Sequence, residues 1–358
     1  MSNEMAALSL IEVEGTPHDA GRALGRFGAA AVHAHLLGTS AWARVMAWRG
    51  SAAAATMAAL VQTRFPRVWS ELQGLAAGLD LPLDDVFLWN CRGEVWAMAP
   101  DGCTTVQLPG DGLQRISHNE DGDPGFAGHC ALAACRVEGS ARFVSFVYPG
   151  SLPGHTFAVT DAGLAMTVNN LRELHVAPGV PRMVLTRALL DAPTLDAAVA
   201  LLRREPRAAG FHLTLGHRDS AGLLSVEFSS LGCSVRDVAA PALHANHAIH
   251  PAMRDFPQII TGSSGHRQVR GDALLGAAGA RGLRVDPLAI LGDTGNAEFP
   301  IHRLAADDSD DENTLATADI VIRPTHIDWR VHEHPRGPAR FHFIDGHIQE
   351  QAPAPGGR

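Results

Sequence analysis

The sequence predicts an α+β fold in which two packed β-sheets form a four-layer αββα sandwich, with helices on both outer faces. Residues 16–98 have the apolar periodicity of several helices, and residues 103–170 alternate short apolar stretches with turns. Helices and then strands return between residues 181 and 344. A chain of 358 residues can bury the core of such a fold, and we predict a single domain over residues 1–358.

Helix caps and acidic first turns mark the helical N-terminal segment. Thr16 precedes Pro17, which is the order of N-cap and first helical residue that favours a helix start. Asp84 and Asp85 open another predicted helix, where their charges suit the helix dipole. The predicted helices of this segment are residues 17–37, 51–63, 68–78 and 84–96.

The pattern changes at Pro100-Asp101-Gly102, beyond which strands and turns prevail. The acidic run at residues 307–312 is predicted to be a solvated loop, because it lacks the glycine and the alternating ligands of a calcium site. The predicted elements of this part are strands at 106–108, 143–148, 156–160 and 164–168, helices at 181–190 and 194–204, strands at 211–216, 223–228 and 233–238, helices at 267–275 and 287–291, and strands at 314–322, 327–331 and 339–344.

The composition excludes several classes of protein. The net charge is -9 with no basic block, which argues against nucleic acid as the main partner. No apolar run is long enough to span a bilayer, and the N-terminus lacks the basic start and apolar core of a signal peptide. We therefore expect a cytoplasmic protein without a membrane partner. Five cysteines at irregular spacing form neither a zinc motif nor a disulfide framework, so free thiols are expected.

Cys103 is the candidate nucleophile because it directly follows Gly102 and precedes two small hydroxyl residues, Thr104 and Thr105. Attack of its thiol on the carbonyl of Gly102 gives a thioester, which water opens. Cys103 then begins a new chain, and its α-amine, with a pKa of about 7.7–8.0, serves as a built-in base. The alternative is a buried strand cysteine beside a turn.

Other segments in a fitting order strengthen this interpretation. Residues 118–122 begin fifteen residues after Cys103, the right distance for the next strand of a hairpin. With Cys103 they resemble the acyl-coenzyme A:isopenicillin N acyltransferase-like (C45 peptidase-like) family of N-terminal nucleophile hydrolases. The resemblance runs from about residue 10 to about residue 345, and the chain departs from it at Glu120, where many members carry Trp, and at Phe341. It rests on Cys103-Thr104-Thr105, Asn119-Glu120-Asp121, residues 163–169, His244-Ala245-Asn246-His247, Gly15-Thr16-Pro17 with Gly21 and Gly25, and residues 90–94.

The resemblance implies roles for particular residues. Cys103 is the nucleophile and, through its amine, the base, while Gly102 and Cys103 flank the self-cleaved bond. The side-chain NH2 of Asn246 and the backbone N–H of Asp121 stabilise the oxyanion. No cofactor and no metal ion are expected. The residues expected to line the pocket or to support these groups are Thr104, Thr105, Asn119, Asn169, Glu227 and His244.

The resulting hypothesis is a self-processing amidohydrolase acting on a small N-acyl compound. Its light chain, residues 1–102, and its heavy chain, residues 103–358, are expected to remain associated, and homo-oligomerisation stays open. The runner-up is transfer of an acyl group from acyl-coenzyme A to an amine, although no glycine-rich phosphate cradle is present. Two rivals are a non-catalytic binding protein and a metal-dependent hydrolase. The metal ligands of that hydrolase would come from two histidine clusters, His244, His247 and His250 or His326, His332 and His334.

Overall fold

Two β-sheets lie at the centre of the computed structural model of the protein, which describes residues 8–99, 102–304 and 311–352. The strands, in chain order, are β1 (Ser9–Gly15), β2 (Gly102–Leu108), β3 (Gln114–Gly122), β4 (Ala131–Val137), β5 (Phe143–Val147), β6 (Phe157–Thr160), β7 (Leu164–Asn170), β8 (Phe211–His217), β9 (Leu224–Phe228), β10 (Cys233–Asp237), β11 (Ala242–His244), β12 (Asn313–Ile322), β13 (Ile327–His332), β14 (Ala339–Ile344) and β15 (His347–Gln351). The first sheet has the order β1-β4-β5-β6-β7-β8-β9-β10 and the second the order β11-β2-β3-β12-β13-β14-β15. The β1–β4 pair is parallel and the other neighbours are antiparallel.

Helices cover the outer face of each sheet. They are α1 (Pro17–Ala34), α2 (Ser40–Met46), α3 (Ala52–Arg64), α4 (Pro66–Leu79), α5 (Leu83–Trp89), α6 (Arg92–Val95), α7 (Arg182–Leu189), α8 (Leu195–Arg204), α9 (Gly262–Ala280) and α10 (Pro287–Leu291). Helix α1 packs on β1 and β4, and α8 packs on β8 and β10, whereas α9 and α10 lie against β11, β2 and β3. The predicted αββα order of layers is confirmed. Among the helices of the described ranges, none combines the length and apolarity that crossing a bilayer requires.

The alternation of side chains along β2 decides which residues lie between the sheets. The hydroxyl of Thr105 donates to Asn169 of β7, and the amide of Gln107 donates to Thr214 of β8, each at 2.7 Å. The intervening Val106 packs instead among apolar residues of α9 and α10. Alternate residues of β2, beginning with Cys103, therefore face the first sheet.

The predicted helix at residues 84–96 is interrupted at Asn90, which corrects that prediction. The side-chain NH2 of Asn90 donates to the carbonyl oxygens of Val86 and Gly150 at 2.8 and 3.1 Å, and its oxygen accepts the N–H of Leu152 at 2.8 Å. An asparagine that bonds to backbone groups in this way competes with the helical hydrogen bonds. Helices α5 and α6 are therefore separate elements.

Several elements lie outside the predicted ranges. Strands β1, β4, β11 and β15 and helix α2 are additional, and α9 extends beyond the predicted residues 267–275 at both ends. Strand β1 pairs in parallel with β4, far along the chain. Such long-range pairing supplies hydrogen bonds that a local sequence pattern does not reveal.

Glu312 corrects the prediction of a solvated loop at residues 307–312. Residues 307–310 lie outside the described residues, and Asp311 is exposed. Glu312 is wholly buried, and its two oxygens accept from Arg303 at 2.7 Å and from Arg172 at 3.2 Å. Buried charges need such partners, and a run of acidic residues in the sequence does not show that they exist.

Helices α1 and α4 meet through glycines. A Cβ atom on Gly21 or Gly25 would overlap the backbone of α4, and one on Gly74 or Gly78 would overlap the backbone of α1. The missing side chains let the two helix backbones touch. The glycines noted near the N-terminus of the sequence therefore serve helix packing.

Replacing Gly21 with alanine is expected to lower the free energy of unfolding by about 3 kcal/mol, the upper end of the range for overpacking. The new methyl group would overlap the backbone of Glu71, and a helix backbone cannot move aside as a flexible side chain can. Urea unfolding measures the change. Gly276→Ala in α9 is the matched control, because its Cβ would enter open space. That control is expected to stabilise the protein by about 0.5–1 kcal/mol, and equal effects of the two variants would contradict the packing account.

Candidate active site

Cys103 lies near the start of β2, with β11 on one side and β3 on the other, and its side chain is buried. In the antiparallel register it stands directly opposite Glu120 of β3. Residues opposite each other on neighbouring strands share a face, and the Cys103 thiol donates to Glu120 Oε2 at 3.7 Å. The thiol of the predicted nucleophile therefore faces a carboxylate while Cys103 is joined to Gly102.

Glu120 is oriented from two sides. Tyr148, the single tyrosine of the sequence, donates its hydroxyl to Glu120 Oε1 at 2.9 Å. His118, two residues earlier on the same face of β3, places its Nε2 atom 3.1 Å from Glu120 Oε2. Burial lowers the pKa of His118 to about 3. Sequence reasoning named neither His118 nor Tyr148 as a site residue, although the strand period of two from Glu120 could have indicated His118.

Asn246 and Arg267 hold the backbone of Cys103. Asn246 Oδ1 accepts the Cys103 N–H at 2.9 Å and Arg267 Nη2 at 2.8 Å. Arg267 Nη1 also donates to the Cys103 carbonyl at 2.6 Å and to Thr104 Oγ1 at 2.7 Å. The Nδ2 atom of Asn246 donates to the carbonyl of Asn170 at 3.3 Å. The structure thus brings the predicted Asn246 and Thr104 to Cys103. It adds the wholly buried Arg267, which no sequence motif marked.

Thr105 and Asn169 connect the two sheets behind Cys103. The Thr105 hydroxyl lies 2.8 Å from His118 Nδ1 and donates to Asn169 Oδ1 at 2.7 Å. Asn169 Nδ2 in turn donates to the backbone carbonyl of His244 at 3.0 Å. Both predicted residues lie in one buried chain of hydrogen bonds that ends on the His118 ring.

Glu227 and His244 form an adjoining network. His244 Nε2 lies 2.9 Å from Glu227 Oε1, and its ring stacks on His212 with centroids 3.4 Å apart. Glu227 also accepts the N–H groups of Ile249 and His250 at 2.7 and 3.0 Å. Burial acts to raise the pKa of Glu227, but the hydrogen bond and the charge of His244 outweigh it, so this pKa lies below its ordinary value. These contacts hold His244 in place, and its backbone carbonyl accepts the hydrogen bond from Asn169.

Asn119 and Asp121 point away from the thiol face, because they alternate with His118 and Glu120 along β3. Asn119 donates to the carbonyl of Leu291 at 2.9 Å, on the α10 side. Asp121 is opposite Gly102 in the register, and its Oδ1 accepts from Thr314 at 2.7 Å. The proposed oxyanion role of Asp121 concerns its backbone N–H and stays a prediction.

Buried charges surround the chain at the predicted cleavage site. A Cβ atom on Gly102 would overlap Glu312 Oε2 and approach Arg303 Nη1 at 2.9 Å. Arg172, the second partner of Glu312, donates to the carbonyl of Ala99 at 2.9 Å. One cluster of charges therefore fixes the backbone on both sides of residues 100 and 101, which lie outside the described residues.

The other cysteines lack the features of a nucleophile. Two of their thiols donate to backbone carbonyls and the other two pack among apolar side chains, and burial raises the pKa of each above its ordinary value. A protonated thiol is a poor nucleophile. These four residues are Cys91, Cys130, Cys135 and Cys233.

The histidine clusters suggested by the sequence do not converge on a shared ion in the part of the chain that the structure describes. There, the one group of three whose ligand atoms lie within 4.8 Å of one another is Cys103, His118 and Glu120. His250 instead lies 2.9 Å from Ser225 and 3.0 Å from Ser234. The metal-dependent hydrolase that would use these clusters gains no support from their geometry.

Comparisons with known proteins agree with the motifs. The family described as acyl-coenzyme A:6-aminopenicillanic acid acyl-transferase matches residues 109–335. A beta-alanyl-dopamine/carcinine hydrolase of Drosophila melanogaster is 26% identical over 164 residues, which span 40% of this chain but only 42% of that relative. Among solved structures, a variant of conjugated bile acid hydrolase from Clostridium perfringens aligns with a TM-score of 0.42 and 12% identity, covering 70% of this chain and 98% of that chain. The family match extends over more than half of the sequence, and the chain therefore belongs to the acyl-coenzyme A:6-aminopenicillanic acid acyl-transferase family.

Proposed function

We propose that the protein is a self-processing amidohydrolase in which Cys103 cleaves a small N-acyl amide through a thioester. One observation carries the proposal: both reacting atoms of Cys103 have polar partners. Its backbone N–H donates a hydrogen bond to Asn246 Oδ1 at 2.9 Å, and its thiol donates one to Glu120 Oε2 at 3.7 Å. A buried strand cysteine also needs a partner for its N–H, but it does not need a carboxylate beside its thiol, and the strand cysteine Cys135 donates its thiol to a backbone carbonyl instead.

Self-cleavage would begin with the thiol of Cys103. Glu120 takes the thiol proton, and the sulfur attacks the carbonyl carbon of Gly102. The C–N bond then breaks as the C–S bond forms, and the leaving nitrogen of Cys103 gains a proton. Water opens the thioester, leaving a carboxylate on Gly102 and a free thiol and α-amine on Cys103. The new amine, with an ordinary pKa of about 7.7–8.0, is able to act as base in later turnovers.

Turnover would repeat this chemistry on an external amide. The sulfur of Cys103 attacks the substrate carbonyl, the amine leaves, and water hydrolyses the acyl-enzyme. The oxyanion is stabilised by the NH2 of Asn246 and the backbone N–H of Asp121. In the uncut chain the NH2 of Asn246 is donated to the carbonyl of Asn170, so the substrate oxyanion would have to replace that carbonyl as its acceptor.

The two products of cleavage, residues 1–102 and 103–358, would stay together. Strand β1 of the light chain pairs with β4 of the heavy chain along its whole length. Asn90 of the light chain bonds to the backbone of Gly150 and Leu152. Co-elution of both fragments in size-exclusion chromatography would support this association, and separation without denaturant would contradict it.

Hydrolysis is favoured over transfer because the Drosophila relative is named a beta-alanyl-dopamine/carcinine hydrolase, although the alignment spans less than half of it. The description of the family favours an acyltransferase as the second candidate. Incubation with an N-acyl amide, and separately with an acyl-coenzyme A and an amine, distinguishes them. Free acid from the amide supports hydrolysis. If an amide forms from acyl-coenzyme A and the amine, and no free acid is released from the N-acyl amide, the enzyme is an acyltransferase.

Replacing Asn246 with aspartate is expected to lower kcat by about 10²–10³-fold, the usual cost of losing one oxyanion-hole donor. Aspartate keeps an oxygen for the N–H of Cys103 and for Arg267, but it has no NH2 group to donate. The measurement is kcat of the matured variant on the N-acyl substrate. Asn246→Ala is the companion variant, since it removes both functions and should also impair self-cleavage. An Asn246→Asp enzyme with unchanged kcat would assign Asn246 a purely structural role.

A further inference from the structure

The hydrogen bonds behind Cys103 determine which nitrogen of His118 carries the proton. The carbonyl of His244 is an acceptor only, so the group that Asn169 points at it is the NH2, at 3.0 Å. Asn169 Oδ1 must then accept the hydroxyl proton of Thr105, at 2.7 Å. The Thr105 oxygen consequently accepts from His118 Nδ1, at 2.8 Å. In the neutral imidazole, the lone pair on His118 Nε2 is therefore directed at Glu120 Oε2, 3.1 Å away.

Two acceptor atoms at this distance need a positive charge between them. A proton would satisfy these two atoms alone. The Cys103 sulfur is a third atom at the same place, 3.7 Å from Glu120 Oε2, and a metal ion could bind all three. The three ligand atoms lie within 4.8 Å of one another, and all three residues are buried. A thiolate, an imidazole and a carboxylate form the donor set that zinc-like ions prefer over magnesium or calcium.

The distances fit a tetrahedral ion. With Zn–S of about 2.3 Å and Zn–N and Zn–O of about 2.0–2.2 Å, tetrahedral angles place sulfur about 3.6 Å from oxygen and nitrogen about 3.4 Å from oxygen. The corresponding distances here are 3.7 Å for Cys103 Sγ to Glu120 Oε2 and 3.1 Å for His118 Nε2 to the same oxygen. Shifts of a few tenths of an ångström would complete the geometry.

The outer contacts also suit a metal site. A ligating histidine normally donates its other ring N–H to a fixed acceptor, and a ligating carboxylate is normally hydrogen-bonded through its second oxygen. His118 meets the first condition through Thr105, and Glu120 meets the second through the Tyr148 hydroxyl, at 2.9 Å. These contacts hold the ligand atoms in place without an ion.

We propose that Cys103, His118 and Glu120 bind one zinc-class divalent cation in the uncut chain, and that this ion arrests self-cleavage. The bound ion coordinates the Cys103 sulfur, which would otherwise attack Gly102. It also coordinates the Glu120 carboxylate, which would otherwise accept the thiol proton. The binding part of this proposal stands on the ligand geometry alone. The arrest part rests on the proposed self-cleavage.

Cobalt(II) alone is the probe for binding. The protein is synthesised and folded with Co²⁺ present, because buried ligands exchange ions slowly. A near-ultraviolet band from thiolate-to-cobalt charge transfer, at one cobalt per chain, is expected. Cys103→Ser should abolish it, His118→Gln and Glu120→Gln should weaken it, and Zn²⁺ present together with Co²⁺ during synthesis should reduce it. Cys233→Ser, at a half-buried thiol on the edge strand β10 of the other sheet, should leave it unchanged.

Absence of the band, or a band that survives in Cys103→Ser, would overturn the proposed site. Reduction of the band by Zn²⁺ present during synthesis of the wild type keeps the test valid if a ligand variant does not fold. The arrest is tested by cell-free synthesis with Zn²⁺ or with a chelator, followed by intact mass. A single chain with zinc and two fragments with chelator are expected. Cleavage that proceeds in a zinc-loaded chain would refute the arrest, and a chain that stays whole under both conditions would count against the proposed function instead.

Discussion

Cys103→Ala is expected to lower kcat on an N-acyl amide by about 10⁶-fold, the effect seen when a catalytic nucleophile is removed. Without sulfur no thioester forms, and without cleavage no α-amine is generated to act as base. Burial raises the pKa of the four other thiols, so none of them replaces it. The measurement is release of free acid by the purified variant over hours.

Cys91→Ala is the matched control for this experiment. Cys91 is another fully buried cysteine, and it lies at the N-terminus of α6 rather than in β2. This control should cleave itself and turn over substrate at close to the wild-type rate, after allowance for any loss of folded protein. A Cys103→Ala protein with substantial activity would show that the nucleophile lies elsewhere, and the proposed function would fail.

Glu312→Ala is expected to lower the free energy of unfolding by about 3–5 kcal/mol, the range for removing one partner from a buried ion pair. In the wild type, Glu312 accepts hydrogen bonds from Arg303 at 2.7 Å and from Arg172 at 3.2 Å. The variant leaves both arginines buried without this carboxylate. Because Glu312 also packs against Gly102, self-cleavage should slow as well. Urea unfolding of the uncut chain in a Cys103→Ala background separates the stability effect from cleavage.

Glu14→Ala provides the matched control for the buried carboxylate. Glu14 pairs with Arg136 at 3.0 Å, but both side chains are 56% exposed. An exposed pair contributes about 0–1 kcal/mol, so this control should unfold almost as the wild type does. Similar small effects of the two substitutions would mean that the buried cluster does not stabilise the chain around the predicted cleavage site.

The order and spacing of short motifs made part of the site predictable from the sequence. Cys103, Asn169 and Asn246 belong to motifs whose order could be read from the sequence, and the structure brings them within one hydrogen-bonded region. The hairpin spacing between Cys103 and Glu120 also indicated neighbouring strands, which the register confirms. Local periodicity and short motifs are sufficient for groups that lie on adjacent strands.

The remaining site residues depend on long-range packing. Arg267 comes from α9 and Arg303 from the loop after α10, yet both reach the strand that carries Cys103 and Gly102. Nothing in their local sequence distinguishes them from the exposed arginines of the chain. Glu312 shows the same limit, because it ends an acidic run that reads as solvated while its own carboxylate is buried. Only the assembled sheets reveal which charges are paired.

Self-cleavage by Cys103 is tested by the intact mass of the freshly purified wild-type chain under denaturing conditions, beside Cys103→Ala. We expect two wild-type fragments whose boundary lies between Gly102 and Cys103, and one mutant chain of nearly the full 37.9 kDa. An intact wild-type chain that hydrolyses N-acyl amides, or a cleavage boundary at another residue, would contradict self-cleavage by Cys103.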